Sequence, residues 1–522
     1  HRTLLADRDK FRSSFGPARI RRDEVSLSEP VGEGGYATVY RGDCRGKEVA
    51  VKVLDSGAGE STSNFSAEFM DEVAIMSTLY HPNIALFMGV VVEPGANWMI
   101  SEFLNGGSVF DLLQRDGHSF STMECISILL QTCQGMNWLH SRSPTPVLHL
   151  DLKPQNLLLD RYGVVKVCDF GVSRLLAGSD ASVVDKGRLR GSLPYMAPER
   201  LRVAAYSTPS DVYSFAVTAW EILTRKAAYS DLAAMFELMT PFEFFNHFGK
   251  VVAEERRRPS MRRLRHRTLR RIVTRCWVHE AEDRPTFGRL IAWLKRAAVR
   301  ESVPGVWGQL FWRRHWMTGG SFETEVPFDE WWRALVTELY GPSAVGFVSD
   351  KLEACVRAML CEQLVGSAPP MRAGCVTLEH FGHFCAWFAQ GVAHRDAAHH
   401  RLAADSERDT LTGSSVSLTA SLLLPPIEDA AHILDVCQRL CTLEVGGYGS
   451  SPGDGAAYLP FHGNISATTA EMLLATRPPG AWLLRCSTKM VQFPFVVSKV
   501  MRGGAISHQR MRFDSDTCRF SV

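Results

Sequence analysis

The hydrophobic pattern changes period part-way along the chain, and that change restricts the possible folds more than any other feature. Residues 25–53 alternate apolar and polar positions around glycines, which predicts short antiparallel strands at 24–27, 37–41 and 48–54. A Gly/Ser-rich stretch at 56–63 leads into a helical pattern over 65–79, and helical periodicity then dominates from 108 to 299. The expectation is a small β-rich lobe followed by a larger helical lobe. At 522 residues the chain is too long for one hydrophobic core, so roughly two to four domains are expected.

Bulk properties exclude more than they identify. The net charge of +2 supplies no global field toward nucleic acid or membrane, so partners must be read from sites. Thirteen cysteines are scattered without a C-x-x-C pair, which argues against a disulfide scaffold and for a reducing, cytoplasmic setting. No run of about 18 apolar residues exists, so no transmembrane segment is expected. The sequence begins at His1 rather than Met, which reads as a fragment.

Four local features bear on phosphoryl transfer, which needs a phosphate cradle, cationic charge, a metal site and a base that positions the nucleophile. Gly32-Glu33-Gly34-Gly35-Tyr36-Ala37-Thr38-Val39 is a glycine-rich strand turn whose amides can approach phosphate oxygens, although such turns also simply join strands. Lys52, in Val49-Ala50-Val51-Lys52, lies on a mainly apolar strand and calls for a counter-ion, for which Glu72 on the following helix is suited. A surface salt bridge is the plainer alternative. His149-Leu150-Asp151-Leu152-Lys153-Pro154-Gln155-Asn156, followed by Asp169-Phe170-Gly171, is the decisive stretch. Asp151 can align a hydroxyl, Asn156 and Asp169 offer the hard oxygen ligands Mg²⁺ prefers, and Lys153 can hold a γ-phosphate as charge moves.

These motifs resemble those of eukaryotic protein kinases, and the resemblance covers residues 25–298. It implies a bilobal α+β fold, ATP and Mg²⁺ as cofactors, and protein substrates. It places Gly32, Gly34, Gly35, Val39, Ala50, Lys52, Ser101 and Glu102 around ATP, with Ser101 as gatekeeper in Ile100-Ser101-Glu102-Phe103. Asp151, Lys153, Lys52 and Glu72 take the catalytic roles, and Asn156 and Asp169 hold the metal. Met196-Ala197-Pro198-Glu199 matches the end of an activation segment, with Arg284 as the buried partner of Glu199. Asp211 resembles the helix aspartate that braces the catalytic loop, and Met76, Phe87, His149 and Phe170 would stack as an apolar spine.

Lys153 and Gly191-Ser192-Leu193-Pro194-Tyr195 resemble serine/threonine kinases, whereas His81-Pro82-Asn83-Ile84 and Cys276-Trp277 are similar to the tyrosine-kinase-like group. The expected activity is phosphorylation of protein Ser/Thr in signal transduction. Dual specificity and a pseudokinase adaptor that binds phosphotyrosine are the alternatives, but the second conflicts with the presence of Lys52, Asp151, Asn156 and Asp169. Ala37 replaces the third glycine of the cradle. Leu150 replaces the arginine that grips a phosphorylated activation loop in many kinases, so phosphorylation at Ser179 or Ser182 is expected to have less control here.

Residues 303–390 are helical and tryptophan-rich, and 391–456 read as a flexible linker, with one amphipathic helix at 427–443. Beyond it, Arg485 interrupts an apolar strand in Trp482-Leu483-Leu484-Arg485-Cys486-Ser487 and needs an anion, either a phosphate or an internal carboxylate. With Phe461-His462-Gly463-Asn464-Ile465-Ser466 before it, segment 458–522 resembles an SH2 domain (an α/β/α sandwich) cut short at its C-terminal end. That resemblance implies phosphotyrosine binding by Arg485, Ser487, His508 and Arg510, phosphotyrosine-containing proteins as partners, and recruitment to membrane-associated phosphoproteins. Kinase before SH2 resembles the amoebal SH2-bearing kinases, in which the intervening region is EF-hand-like. No calcium loop occurs there, so a packing module is expected.

Residues 256–275 hold ten arginines, but the spacing of Leu264, Leu269, Ile272 and Val273 reads as an amphipathic helix with a solvated basic face rather than a nucleic-acid site. Cys375, His380, His383 and Cys385 fit no common zinc spacing. Cys168 is expected to be a small core residue beside the nucleotide pocket.

Overall fold

The alternating N-terminal segments pair into one antiparallel sheet of five strands. These are β1 (Val25–Glu33), β2 (Ala37–Cys44), β3 (Lys47–Leu54), β4 (Phe87–Glu93) and β5 (Ala96–Glu102), in the order β1-β2-β3-β5-β4. The computed structural model describes residues 19–303 except 34–36, 55–66, 94–95, 116, 118, 144, 176–182, 185–190, 204 and 234–238. Beyond these it describes 305–317, 322–340, 353, 356–357, 374–388, 467–475, 482–486, 495–501, 503–514 and 519–521. The chain divides into two units, His1–Ala297 and Ala298–Val522.

Each predicted strand is present, and β1 and β2 run further than the alternation showed. Arg45 and Gly46 form the two-residue turn between β2 and β3, both with positive φ (56° and 78°), the geometry a tight hairpin requires. Arg45 tolerates it while its guanidinium is tied to Glu24 at 2.6 Å. The register sets Val39 opposite Lys52 and Ala50 opposite Ser101. Val25, Val49, Val51, Val91, Trp98 and Ile100 make a core on the sheet. The helix Ala67–Met76 follows, ending three residues before the periodicity implied.

The helical lobe is built around Thr208–Thr224, a helix buried at every position from Ser210 to Ile222. A helix apolar nearly all round belongs inside a core, and that burial makes the two acids in it, Asp211 and Glu221, informative. Thr122–His140 starts at a capping box between Ser121 and Glu124. A hairpin of Leu157–Leu159 and Val165–Val167 lies at the edge of the catalytic loop. Gly106, just past β5, donates its N–H to the Leu159 carbonyl at 2.9 Å. A Cβ there would lie 2.7 Å from that carbonyl oxygen and from Leu159 Cβ, so the chain leaving the sheet can approach the hairpin only as glycine. One sequence expectation shifts. The helix inside the arginine-rich segment spans Arg267–Cys276 only, and Leu264 is buried ahead of it. Pro259 and the N-cap His266 explain the late start, since His266 Nδ1 accepts from Leu269 N–H at 3.2 Å.

In the second unit, helices Val306–Trp316, Phe328–Tyr340 and Leu378–Phe388 bury Phe311, Trp312, Phe328, Trp331 and Phe381. Strands Glu325–Pro327 and Cys375–Thr377 pair antiparallel, Val326 opposite Val376, each leading directly into a helix. Further on, helix Ala467–Leu474 accompanies a sheet of Trp482–Cys486, Phe495–Val500, Ile506–Asp514 and Arg519–Ser521. Ala470, Leu474, Val500 and Ile506 form its core. The linker 391–456 and the helix expected at 427–443 lie outside the described residues.

Replacing Gly106 with alanine should cost about 1–3 kcal/mol of stability through the backbone clash. Urea unfolding of the variant checks this, and an unchanged midpoint would refute it.

Candidate active site

The residues expected to be catalytic come from β3, the helix Ala67–Met76 and the loops around residues 150 and 170. Lys52 Nζ lies 2.8 and 3.0 Å from the two Glu72 carboxylate oxygens and 3.2 Å from Asp169 Oδ1. Burial works against the Lys52 ammonium, but Asp169 and Glu72 outweigh it and hold its pKa above the usual lysine value. Burial likewise opposes ionisation of Asp169, and Lys52 overcomes it, leaving the aspartate below its usual range. Both partners are therefore charged at neutral pH. Gly171 lies against the triad, and a Cβ there would sit at contact distance, 3.4 Å, from Asp169 Oδ1 and from Glu72 Oε2.

Asp151 is the second centre, and it is buried. Lys153 Nζ donates to Asp151 Oδ2 at 2.7 Å and to Ser192 Oγ at 2.8 Å. Ser192 N–H donates to Asp151 Oδ1 at 2.7 Å, which joins the activation segment to the catalytic loop. Asn156 Nδ2 donates to the Asp151 carbonyl at 2.8 Å and to Oδ2 at 3.2 Å. Its amide nitrogen is thus committed, and the amide oxygen is turned the other way. A hard oxygen from Asn156 and a carboxylate from Asp169 suit Mg²⁺, which takes one or two protein oxygens and completes its shell with water and phosphate. No group of three His, Cys, Asp or Glu side chains able to hold a metal occurs among the described residues. Cys375, His380 and Cys385 are among those residues, while the His383 side chain lies outside them.

The loop's shape is imposed from beneath. Asp211, fully buried, accepts from His149 N–H at 3.0 Å and Leu150 N–H at 2.7 Å and meets His140 Nε2 at 2.8 Å. Leu150 has φ 65°, costly for a branched side chain. Arg200 Nη1 holds the Leu150 carbonyl at 2.6 Å, and the Leu150 side chain packs with Leu148, Tyr206 and Val172. His149 Nε2 lies 3.0 Å from the Cys168 carbonyl, and its ring meets Phe170 edge-on at 5.0 Å. Burial and the Asp169 charge push the Cys168 thiol up, in keeping with a core role.

Arg284 grips Glu199 with both terminal nitrogens, at 2.8 and 2.9 Å. The Glu102 carboxylate accepts from Leu86 N–H at 2.8 Å and pairs with Lys166 at 3.1 Å, tying β5 to the hairpin. Gly32 pairs with Val39 across the cradle strands, while Gly34 and Gly35 lie outside the described residues, as do Ser179, Ser182 and Ser487. Sequence reasoning missed His140 and Arg200. Neither belongs to a local pattern, and an arginine directly after Glu199 was the only available cue.

Burial alone would raise the Glu199 carboxyl, yet Arg284 outweighs it and holds the group below its usual range. A depressed carboxyl contributes stability that is complete above its unfolded-state range and lost as pH falls through and below it. Arg284→Met should therefore cost about 3–5 kcal/mol at pH 7. Glu199→Gln should flatten the loss of stability below about pH 4.5. Chemical denaturation across pH reads both effects, and parallel pH curves for wild type and Glu199→Gln would contradict the assignment.

A family model described as protein tyrosine and serine/threonine kinase matches residues 25–294. The dual specificity protein kinase shkC of Dictyostelium discoideum is 29% identical over 507 residues, covering 95% of this chain and 85% of that protein. Its counterpart shkA from the same organism is 28% identical over 512 residues, covering 95% of this chain and 84% of the relative. The serine/threonine-protein kinase CTR1 of Arabidopsis thaliana is 35% identical over 287 residues, which is 54% of this chain and 32% of that protein. With its five-stranded antiparallel lobe, its helical lobe and the matched motifs, the chain belongs to the protein tyrosine and serine/threonine kinase family.

Proposed function

We propose that the chain phosphorylates serine and threonine residues of proteins, using ATP with Mg²⁺. The observation that carries this reading is the pairing of two intact centres, the Lys52–Glu72–Asp169 triad and the Asp151–Lys153–Ser192 cluster. Bound nucleotide supplies the γ-phosphoryl group and the metal its charge neutralisation. Lys52, fixed by Glu72, holds phosphate oxygens, Asp169 and Asn156 offer the metal oxygen ligands, and Asp151 aligns the acceptor hydroxyl. Gly32, Val39 and Ala50 form the described part of the nucleotide cleft, with Gly34 and Gly35 continuing the cradle and Ser101 and Glu102 at the hinge. Lys153 bridging Asp151 and Ser192 is the contact that favours an aliphatic hydroxyl. A pseudokinase reading has no support in this geometry.

Dual specificity is the second reading, favoured by the Dictyostelium relatives that align along nearly the whole chain. The tyrosine-kinase-like motifs agree with either. Lys52→Ala and Asp169→Ala should each lower the rate of peptide phosphorylation by more than about 100-fold while leaving the fold intact. Phosphoamino-acid analysis of the autophosphorylated wild type should show phosphoserine and phosphothreonine. Abundant phosphotyrosine would move the assignment to dual specificity, and activity retained in both variants would overturn the mechanism.

Domain limits follow the same reading: kinase at 25–298, an EF-hand-like packing module at 303–390, a linker at 391–456 and an SH2 segment at 458–522. Support for the module is the short strand pair Glu325–Pro327 with Cys375–Thr377, each strand opening a helix. Support for the SH2 reading is the helix Ala467–Leu474 beside an antiparallel sheet in which Arg485, Val496 and Arg510 share one row. His508 lies two rows along, with Nδ1 2.8 Å from Ser498 Oγ and Nε2 3.1 Å from Glu471 Oε1. The proposed partners of this segment are phosphotyrosine-containing proteins. Binding of a phosphotyrosine peptide to the full chain, followed by fluorescence anisotropy, should disappear in Arg485→Ala, and undiminished binding would count against the segment's role.

A further inference from the structure

The arginine-rich segment divides sharply once its surroundings are known. Arg256 and Arg257 pair with Glu280 and Asp231, and Arg258 donates to the Val252, Arg257 and Trp277 carbonyls. The other seven arginines, at positions 262, 263, 265, 267, 270, 271 and 275, are exposed. Among the described residues none of these seven has a carboxylate within ion-pair distance. The 256–275 segment contains no acidic residue, so with a whole-chain charge of only +2 the remainder of the molecule is net acidic. The near-neutral total therefore hides a locally basic face.

Two features indicate that this face is more than solvated surface. Arg267, Arg270, Arg271 and Arg275 follow helical spacing on one side of Arg267–Cys276, opposite the buried Leu269, Ile272, Val273 and Cys276. Like charges three and four residues apart repel, and cations in the first turn oppose the helix dipole, so this arrangement costs the helix stability. No acid stands in that first turn to relieve it. A local rule broken this consistently, without compensation inside the chain, points to an anionic partner outside it.

We propose that this face docks the protein on an anionic phospholipid bilayer. The segment has no Asn or Gln to read base edges and no Phe, Tyr or Trp on which bases could stack. What remains is a row of guanidinium forks on one side of a fixed helix, suited to several phosphate headgroups lying in a plane. This goes beyond the catalytic assignment and does not depend on it.

The test is co-sedimentation of the full chain with phosphatidylcholine vesicles, with and without phosphatidylserine, at low and high salt. Wild type should bind only the anionic vesicles and be released by salt. The combined variant Arg267→Gln, Arg270→Gln, Arg271→Gln and Arg275→Gln should lose affinity by roughly fivefold per arginine. Its melting temperature should equal or exceed that of wild type, because internal repulsion is removed, and peptide phosphorylation in solution should be unchanged. Equal binding by wild type and variant, no binding by wild type, or preferential capture by duplex DNA or RNA added in competition would each overturn the proposal.

Discussion

A single carboxylate with no exposure to water shapes the catalytic loop. Asp211 sits inside the most deeply buried helix of the lobe and accepts two consecutive backbone N–H groups, those of His149 and Leu150. Without it both donors would be left unsatisfied, a desolvation cost of about 1–3 kcal/mol each. It also holds Leu150 in a left-handed conformation that sets the direction in which Asp151 leaves the turn. Asp169 has the same backbone sign, φ 62°, so the loop around Leu150 and the turn at Asp169 each hold a left-handed residue. Strain of this kind persists only when the surroundings over-determine it, and here the Arg200 contact and the Leu148/Tyr206/Val172 packing do so.

The charged triad depends on a different kind of constraint. Lys52 and Asp169 are 117 positions apart, and Glu72 is 20 from Lys52. Each comes from a separate element, so the ion cluster reports that sheet, helix and lower lobe are all in place at once.

Much of this was legible from residues alone because the chemistry is written in short windows. The stretch from His149 to Asn156, the Asp169-Phe170-Gly171 turn and the Glu199 motif each carry fixed spacings, and the structure gathers Lys52, Glu72, Asp151, Lys153, Asn156 and Asp169 into one region. His140 and Arg200 were not legible, since their contacts to Asp211 and Leu150 span 71 and 50 residues and depend on tertiary packing. The helix start at Arg267 was missed for a local reason, because apolar spacing continues through Leu264 although the helix begins only after the His266 cap. Periodicity records which residues are buried better than it records which backbone they sit on.

Leu150 has one more consequence. Where an arginine would join the catalytic loop to a phosphate by charge, this chain uses methyl groups against the ring of Tyr206 and the side chains of Leu148 and Val172. Coulombic clamps loosen when ions are added, whereas apolar ones are indifferent to dilute salt and weaken on cooling. The local order of this loop is thus tied to temperature more than to ionic surroundings.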